Sequence, residues 1–315
     1  MPKHRTALRN RLESFVVGAF GAVLARKTPE AAESTGRGLG RLYRRLDASR
    51  RNLARVNLAR AFPAMSASDI DSLSVRVFEH FGGVVAELLH ALAHDPADAL
   101  ERIETEGAEI AKDAYASGRG VFFLTAHLGN WEWAALATGG LGISSGVVAR
   151  PLDNPLLDAA ITRLRTSTGN TVIEKRDAAR GMLRALRGGG AIGILNDQHA
   201  APPDAVAAPF FGHPAATSSA LAKLADRTEA LIVPAYAIRV APARWRLSYE
   251  PPLDVRTLSR EERGVGSLTA RLNGILESVI RRHPEQWLWF HNRWRLEGFT
   301  EKSARARGPG AEARS

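Results

Sequence analysis

Hydrophobic positions change their spacing twice along this chain. Phe15 to Ala25, FVVGAFGAVLA, is an unbroken apolar run flanked by Lys3, Arg5, Arg9 and Arg11 on one side and by Arg26 and Lys27 on the other. From Gly36 to Arg60 the apolar residues Leu39, Leu42, Leu46, Leu53 and Leu58 recur at helical spacing, with Arg37, Arg41, Arg44, Arg51 and Arg55 among them. That pattern predicts a basic amphipathic helix or a pair of them, facing either a membrane or a packed neighbour and solvent. Residues 30 to 100 read as mainly helical. From about Ile103 to Glu250 the pattern alternates. Apolar, β-branched segments at 121–126, 146–150, 171–174, 191–195 and 230–240 predict strands. Between them, Leu156, Leu157, Ala160, Ile161 and Leu164 share one helix face, and Asp177 to Arg187 and Ser218 to Arg227 can form further helices. Trp245 to Tyr249 is expected as an edge strand ended by Pro251-Pro252, and Ser267 to Arg282 as a helix.

The expected fold class is therefore α/β, with a mainly parallel sheet flanked by helices and an N-terminal helical, membrane-associating region. Four regions follow. Residues 1–30 form a basic and apolar anchor, 31–100 a helical region packed on the core, 101–298 the α/β catalytic region, and 299–315 a disordered tail rich in Arg, Ala, Gly and Glu. The apolar run of 11 residues is too short to span a bilayer, which takes roughly 20. Arg26-Lys27-Thr28-Pro29 offers no small-residue cleavage pattern. The segment is expected to stay on the chain and lie in the interface, its basic flanks on anionic headgroups.

An open α/β sheet places ligands beyond the carboxyl ends of its strands. Three polar groups fall there: His127 with Gly129, Asn130 and Glu132 after one strand, Arg150 at the end of another, and Asn196-Asp197-Gln198 after a third. An imidazole can take a proton from a hydroxyl and return it within one cycle, and a carboxylate can fix which ring nitrogen is free. His127 with Glu132 has that form, the hydroxyl belonging to a substrate, so acyl transfer is the first chemistry to consider. A plain hydrogen-bonded histidine at a strand end is the competing reading. Arg150 can read a phosphate group of a substrate, or pair with Asp153 or Asp158. Asp197 and Gln198 can bind sugar or headgroup hydroxyls, and Asp197 can equally brace the His127 turn. Pro209 to Gly212 is a turn presenting Phe210 and Phe211, after which Ala215 to Thr217 are expected to open a helix. Asn130, Phe211 and Gly212 complete the candidate substrate-binding set. Trp287, Trp289 and Trp294 can form an acyl wall, an interface belt or core.

Composition narrows the chemistry. No cysteine occurs in the 315 residues, which excludes disulfides, thiolate metal sites and a cysteine nucleophile. No pair of histidines at helix-face spacing has a carboxylate between them, so no metal is expected. A net charge of +10 points to anionic membranes, acidic proteins or nucleic acid. No base-reading motif accompanies it, so nucleic acid is not an expected partner.

The segment HLGNWEW, His127 to Trp133, resembles the His-x4-Asp/Glu motif of the lysophospholipid acyltransferase superfamily, and in Gly-Asn-Trp-Glu the bacterial lipid A biosynthesis lauroyl/myristoyl acyltransferases. NLARAFP from Asn57, VARPLDNPLLD from Val148, LNDQHA from Leu195, PFFGHPAATSSALAKLA from Pro209 and HPEQWLWFHNRWR from His283 are similar to the family in the same order. The likeness runs from about residue 10 to 297. It implies a glycerolipid acyltransferase-like fold, with His127 and Glu132 catalytic and the Phe211-Gly212 turn at the substrate cleft. The implied reaction moves an acyl chain from an acyl carrier protein or coenzyme A thioester to a hydroxyl of a membrane glycolipid or lipid A precursor. That reaction needs no cofactor, and the implied location is the cytoplasmic face of the inner membrane. A lysophospholipid acyltransferase or a thioester or lysophospholipid hydrolase would use the same site.

Overall fold

The computed structural model describes residues 7–174, 178–296 and 299. Lys3, Arg5, Asp177 and the expected tail from Lys302 lie outside the described residues. Four helices lead the chain: α1 (Ala7–Ala25), α2 (Pro29–Leu46), α3 (Ala48–Ala61) and α4 (Ala67–Ala91). The starts of α2, α3 and α4 carry side-chain caps, Thr28 accepting from the Ala31 N–H, Asp47 from Arg50 and Ser66 from Asp69. After α5 (Pro96–Leu100) come β1 (Ile103–Glu106), α6 (Ala108–Ala116), β2 (Val121–Thr125), α7 (Trp131–Gly140), β3 (Ser145–Ala149), α8 (Pro155–Thr166), β4 (Thr171–Glu174), α9 (Ala178–Arg187) and β5 (Ala191–Leu195). A hairpin of β6 (Ala205–Phe210) and β7 (His213–Ser218) follows, then α10 (Ala220–Thr228), β8 (Leu231–Ala241), β9 (Arg244–Tyr249) and α11 (Val265–Arg282).

Seven strands form one sheet in the order β1-β9-β8-β2-β5-β3-β4, parallel except between β8 and β9. The central strand β2 is buried along its whole length. Phe122 and Leu124 face one core layer with α11 and the tryptophans, Val121 and Phe123 the other with α7. The alternating pattern of the sequence thus produces the expected mainly parallel sheet.

Two expectations need correction. Trp245–Tyr249 is not the edge: β1 adds in parallel outside β9, Ile103 opposite Trp245. The short run IETE has too little apolar content to read as a strand, and it forms because β9 offers a free ladder. Ala215–Thr217 do not open a helix. They pair antiparallel with β6, and the helix begins at Ala220. Part of the basic face of α2 and α3 is engaged by protein. Arg37 and Arg41 both pair with Glu79 of α4 at 2.7 Å, and Arg44 and Arg55 pair with Asp71.

Helices α2 and α4 meet backbone to backbone. A Cβ on Gly36 would lie 2.3 Å from the Gly82 carbonyl oxygen, one on Gly40 2.0 Å from that of Phe78, and one on Gly82 2.2 Å from that of Gly36. Arg239 of β8 then ties this pair to the sheet, bonding Glu33 of α2 at 3.1 Å and Glu87 of α4 at 2.7 Å. Gly40→Ala is expected to destabilise by about 1–3 kcal/mol through overpacking. Gly38→Ala is the control: its Cβ would meet only Arg41 at 3.9 Å. It should stabilise by roughly 0.5–1 kcal/mol as helix propensity dictates. Thermal melts of the two variants check this, and a rise in Tm for Gly40→Ala would show that the helices can separate.

Candidate active site

The turn after β2 is held from three sides. The Gly129 N–H donates to the Gln286 carbonyl and the Asn130 N–H to that of Ala237, both at 2.9 Å, while the Leu288 N–H donates to the His127 carbonyl at 3.1 Å. Gly129 has φ +60, and a Cβ there would sit 1.9 Å from the Ala237 oxygen, so no side chain fits. From beneath, His80 of α4 donates through Nε2 to the Gly129 carbonyl at 3.2 Å. Burial, with the nearby Arg239 charge, pushes its pKa down to about 3, so it is a neutral prop. Asn130, fully buried, caps α7 by accepting from the Glu132 and Trp133 N–H groups.

On this fixed turn the imidazole of His127 bonds Asp197, which follows β5. Nδ1 lies 2.9 Å from Asp197 Oδ1, the His127 N–H donates to Oδ2 at 2.9 Å, and the Trp287 Nε1–H donates to the same oxygen at 2.8 Å. Burial alone would raise the Asp197 pKa. The His127 charge and these three bonds outweigh it and hold the carboxyl at about 2. An ionised Asp197 places the proton on Nδ1 and leaves the lone pair on Nε2. The Gln198 side-chain amide donates to that nitrogen at 3.1 Å. His127 keeps 22% of its side chain exposed and packs edge-on against Trp131 at 4.9 Å. The arrangement is an imidazole with one nitrogen oriented by a buried carboxylate and the other turned to where a hydroxyl can reach.

Arg293 supports this charge from within. It is fully buried, lies over the Phe210 ring at 4.7 Å, and donates to the Ala216 carbonyl at 3.0 Å and Thr217 Oγ1 at 2.7 Å. Burial lowers its pKa to about 10, against which the Asp197 charge works, so the guanidinium remains cationic near neutral pH.

Glu132 is placed differently from the sequence expectation that it orients His127. Its carboxylate accepts from Arg165 Nε at 2.8 Å and Nη2 at 2.6 Å, and from Trp131 Nε1 at 3.1 Å. The physical reason is the Asn130 cap, which starts α7 at Trp131 and commits Glu132 to the helix's first turn, where α8 brings Arg165. In this structure the carboxylate on Nδ1 is therefore that of Asp197, and Glu132 reaches the imidazole only through Trp131. Arg150 is 61% exposed and bonds Asp153 at 2.8 Å, the alternative read from the sequence, while Asp158 accepts from the Leu152 N–H. Phe211 occupies the tip of the β6–β7 hairpin at φ 51 with Gly212 at φ 74 beside it. It is buried against Phe62, Phe210, Trp289 and Trp294, which makes it core. Trp289 and Trp294 are buried in the same cluster.

The site thus brings together His127, Asn130, Asp197 and Gln198, and adds Trp287, Arg165 and Arg293, to which sequence reasoning had given no role at the base. Arg165 pairs across 33 residues of chain, a separation at which spacing carries no signal. Asp197's bracing role was legible as one of two options. Its exposure of 1% decides between them by leaving no room for a sugar hydroxyl. Among the described residues no group of three or more His, Asp or Glu side chains could hold a metal ion.

The chain is similar to known proteins along nearly its whole length. The family model described as bacterial lipid A biosynthesis acyltransferase matches residues 1–296. The lipid A biosynthesis lauroyltransferase of Escherichia coli strain K12 is 29% identical over 300 residues, covering 94% of this chain and 96% of the relative. The lipid A biosynthesis palmitoleoyltransferase of the same strain is 27% identical over 274 residues, 85% and 86% of the two chains. The lipid A biosynthesis myristoyltransferase of that strain is 24% identical over 252 residues, 80% and 77%. With the match running through every element that builds the His127 turn, the chain belongs to the bacterial lipid A biosynthesis acyltransferase family.

Proposed function

We propose that this acyltransferase moves a fatty acyl chain from a thioester, carried by acyl carrier protein or coenzyme A, to a hydroxyl of a lipid A precursor at an anionic membrane surface. The observation that carries the reading is the run Asp197–His127–Gln198, which leaves Nε2 as the one basic atom of the turn that a substrate can approach. The acceptor hydroxyl displaces the Gln198 amide and gives its proton to Nε2 as its oxygen attacks the thioester carbonyl carbon. The tetrahedral intermediate collapses with cleavage of the C–S bond, and the imidazolium returns the proton to the departing thiolate. Asp197 stabilises the imidazolium formed between these steps. Glu132, clamped by Arg165, sets the first turn of α7 and through it the Trp131 ring on which His127 rests. Arg150, exposed with one partner close by, reads an anionic group of a substrate.

Attachment to the surface falls to α1. It turns Asn10, Glu13 and Ser14 toward α8 and exposes Leu8, Leu12, Phe15, Val16 and Val23. Arg9, Arg11, Arg26 and Lys27 border that stripe and are exposed as well. A helix that hides its polar side and shows its apolar side fits a lipid interface better than water. No helix among the described residues is long and apolar enough to cross a membrane. In this reading α1 lies along the leaflet, its basic flanks favouring the cytoplasmic face of the inner membrane.

Labelled acyl transfer onto lipid A precursor tests the chemistry. His127→Ala should reduce kcat by about 100-fold or more. Asp197→Asn should cost a similar factor, since an amide no longer selects the tautomer. Release of free fatty acid without transfer would replace the acceptor by water and sink the reading. Glu132→Gln leaves Arg165 buried without its anion and should destabilise by about 3 kcal/mol or more, with a smaller loss of kcat than Asp197→Asn. A Glu132→Gln variant with unchanged Tm and the larger kcat loss would make Glu132 the orienting carboxylate of the working enzyme. Arg150→Ala should raise KM several-fold and change kcat little, and an unaltered KM would remove its proposed role.

A further inference from the structure

Asn154 does more than a helix cap requires. It is 2% exposed, and its Oδ1 accepts from the Leu156 N–H at 3.1 Å, which starts α8. A cap needs only that acceptor. Here the amide nitrogen reaches into α1 as well, donating to the Asn10 carbonyl at 3.0 Å, to Glu13 Oε2 at 3.2 Å and to Ser14 Oγ at 3.0 Å, while Ser14 Oγ also lies 3.2 Å from Oδ1. A chain segment 140 residues away is thereby bonded to the first turn of α8.

The other end of α8 carries Arg165. Eleven residues of helix make a strut of about 16 Å between Asn154 and Arg165. Arg165 grips Glu132 with two bonds, Glu132 accepts from the Trp131 indole at 3.1 Å, and the Trp131 ring rests on His127 at 4.9 Å. Each link from α1 to the imidazole is therefore a direct contact: α1, Asn154, α8, Arg165, Glu132, Trp131, His127.

Leu152 and Leu156, two residues to either side of Asn154, are 45% and 56% exposed. When Asn154 holds α1, the chain on which these leucines stand is tied to that helix, so a leaflet that meets the apolar stripe of α1 would meet exposed leucines within two residues of the seam as well. With the seam open it meets α1 alone. Lipid therefore binds the closed seam better, which is the differential affinity that a population shift requires.

We infer that Asn154 is a positioning residue that couples lipid docking of α1 to the alignment of the His127 site, so that an anionic leaflet raises the turnover of the enzyme. This rests on the surface attachment and acyl transfer given above.

The experiment uses the full chain and vesicles of phosphatidylethanolamine with phosphatidylglycerol. It reads three quantities: flotation with the vesicles, acyl transfer with and without them, and amide hydrogen exchange of residues 155–166. For the wild type, vesicles should slow exchange in 155–166 and raise transfer by about five-fold or more. Asn154→Asp keeps an acceptor for the α8 cap, loses the donors and sets a carboxylate against Glu13. It should float as the wild type does and lose both the stimulation and the slowed exchange. Adding Glu13→Gln supplies a donor to that carboxylate and should restore most of the stimulation. Ser14→Val with Glu13→Ala leaves Asn154 and its cap untouched and should lose stimulation too, which keeps the test valid if Asn154→Asp lowers Tm. Retained stimulation in Asn154→Asp, or a wild type that floats and transfers without stimulation, overturns the coupling. A wild type that does not float overturns the attachment itself and the coupling with it, and flotation with no transfer overturns the proposed reaction.

Discussion

A carboxylate with almost no access to water organises this protein's chemistry. Asp197 can stay ionised in the interior only because the His127 backbone and ring, the Trp287 indole and the more distant Arg293 charge surround it. Remove those donors and the group would take up a proton, since desolvation works against its charge. The demand reaches through the fold. Trp287 must come from the segment after α11, His127 from the end of β2 and Asp197 from the end of β5, so the register between two parallel strands and the return of a distant segment are set by one acidic side chain. The short bridge between Leu128 and Trp287 is the backbone expression of the same requirement.

Much of this organisation was legible in the chain. The apolar, β-branched runs identified β2, β3, β5 and β8 because strands buried in the sheet interior are nearly continuous in hydrophobicity, and β4, at the sheet edge, through the β-branched residues of TVIE. His127, Arg150 and Asp197 could then be placed at strand ends, and the family could be read from motifs that surround those positions. What stayed hidden is nonlocal. The strand IETE is mostly polar and exists through its neighbour, and AATS pairs with β6 where small residues and a nearby serine suggest a helix start. Partner choice was the hardest to see. Glu132 stands five residues from His127 in sequence, yet the cap at Asn130 turns it to Arg165, while Asp197, 70 residues away, takes the ring nitrogen. Spacing in sequence reports proximity of backbones and leaves side-chain direction to the helix that begins between them.

The helical layer has its own constraint. Glycines at 36, 40 and 82 let α2 and α4 touch through backbone, and Arg239 joins both to β8 through Glu33 and Glu87. Those contacts fix α4, and α4 places His80 under the turn that carries the base. The helical region expected to pack on the core is in this way the floor of the site.

The edge strand beside β9 has a consequence for self-association. The sheet ends at β1, where Glu104, Thr105 and Glu106 are all exposed and where Glu104 and Glu106 reach Arg246 and Ser248 on β9. An open parallel edge is a template on which a second chain can lay a strand. Two carboxylates along four residues blunt that ladder toward another copy, since like charges would face each other there, so the short strand that completes the sheet also carries a guard against edge-to-edge pairing.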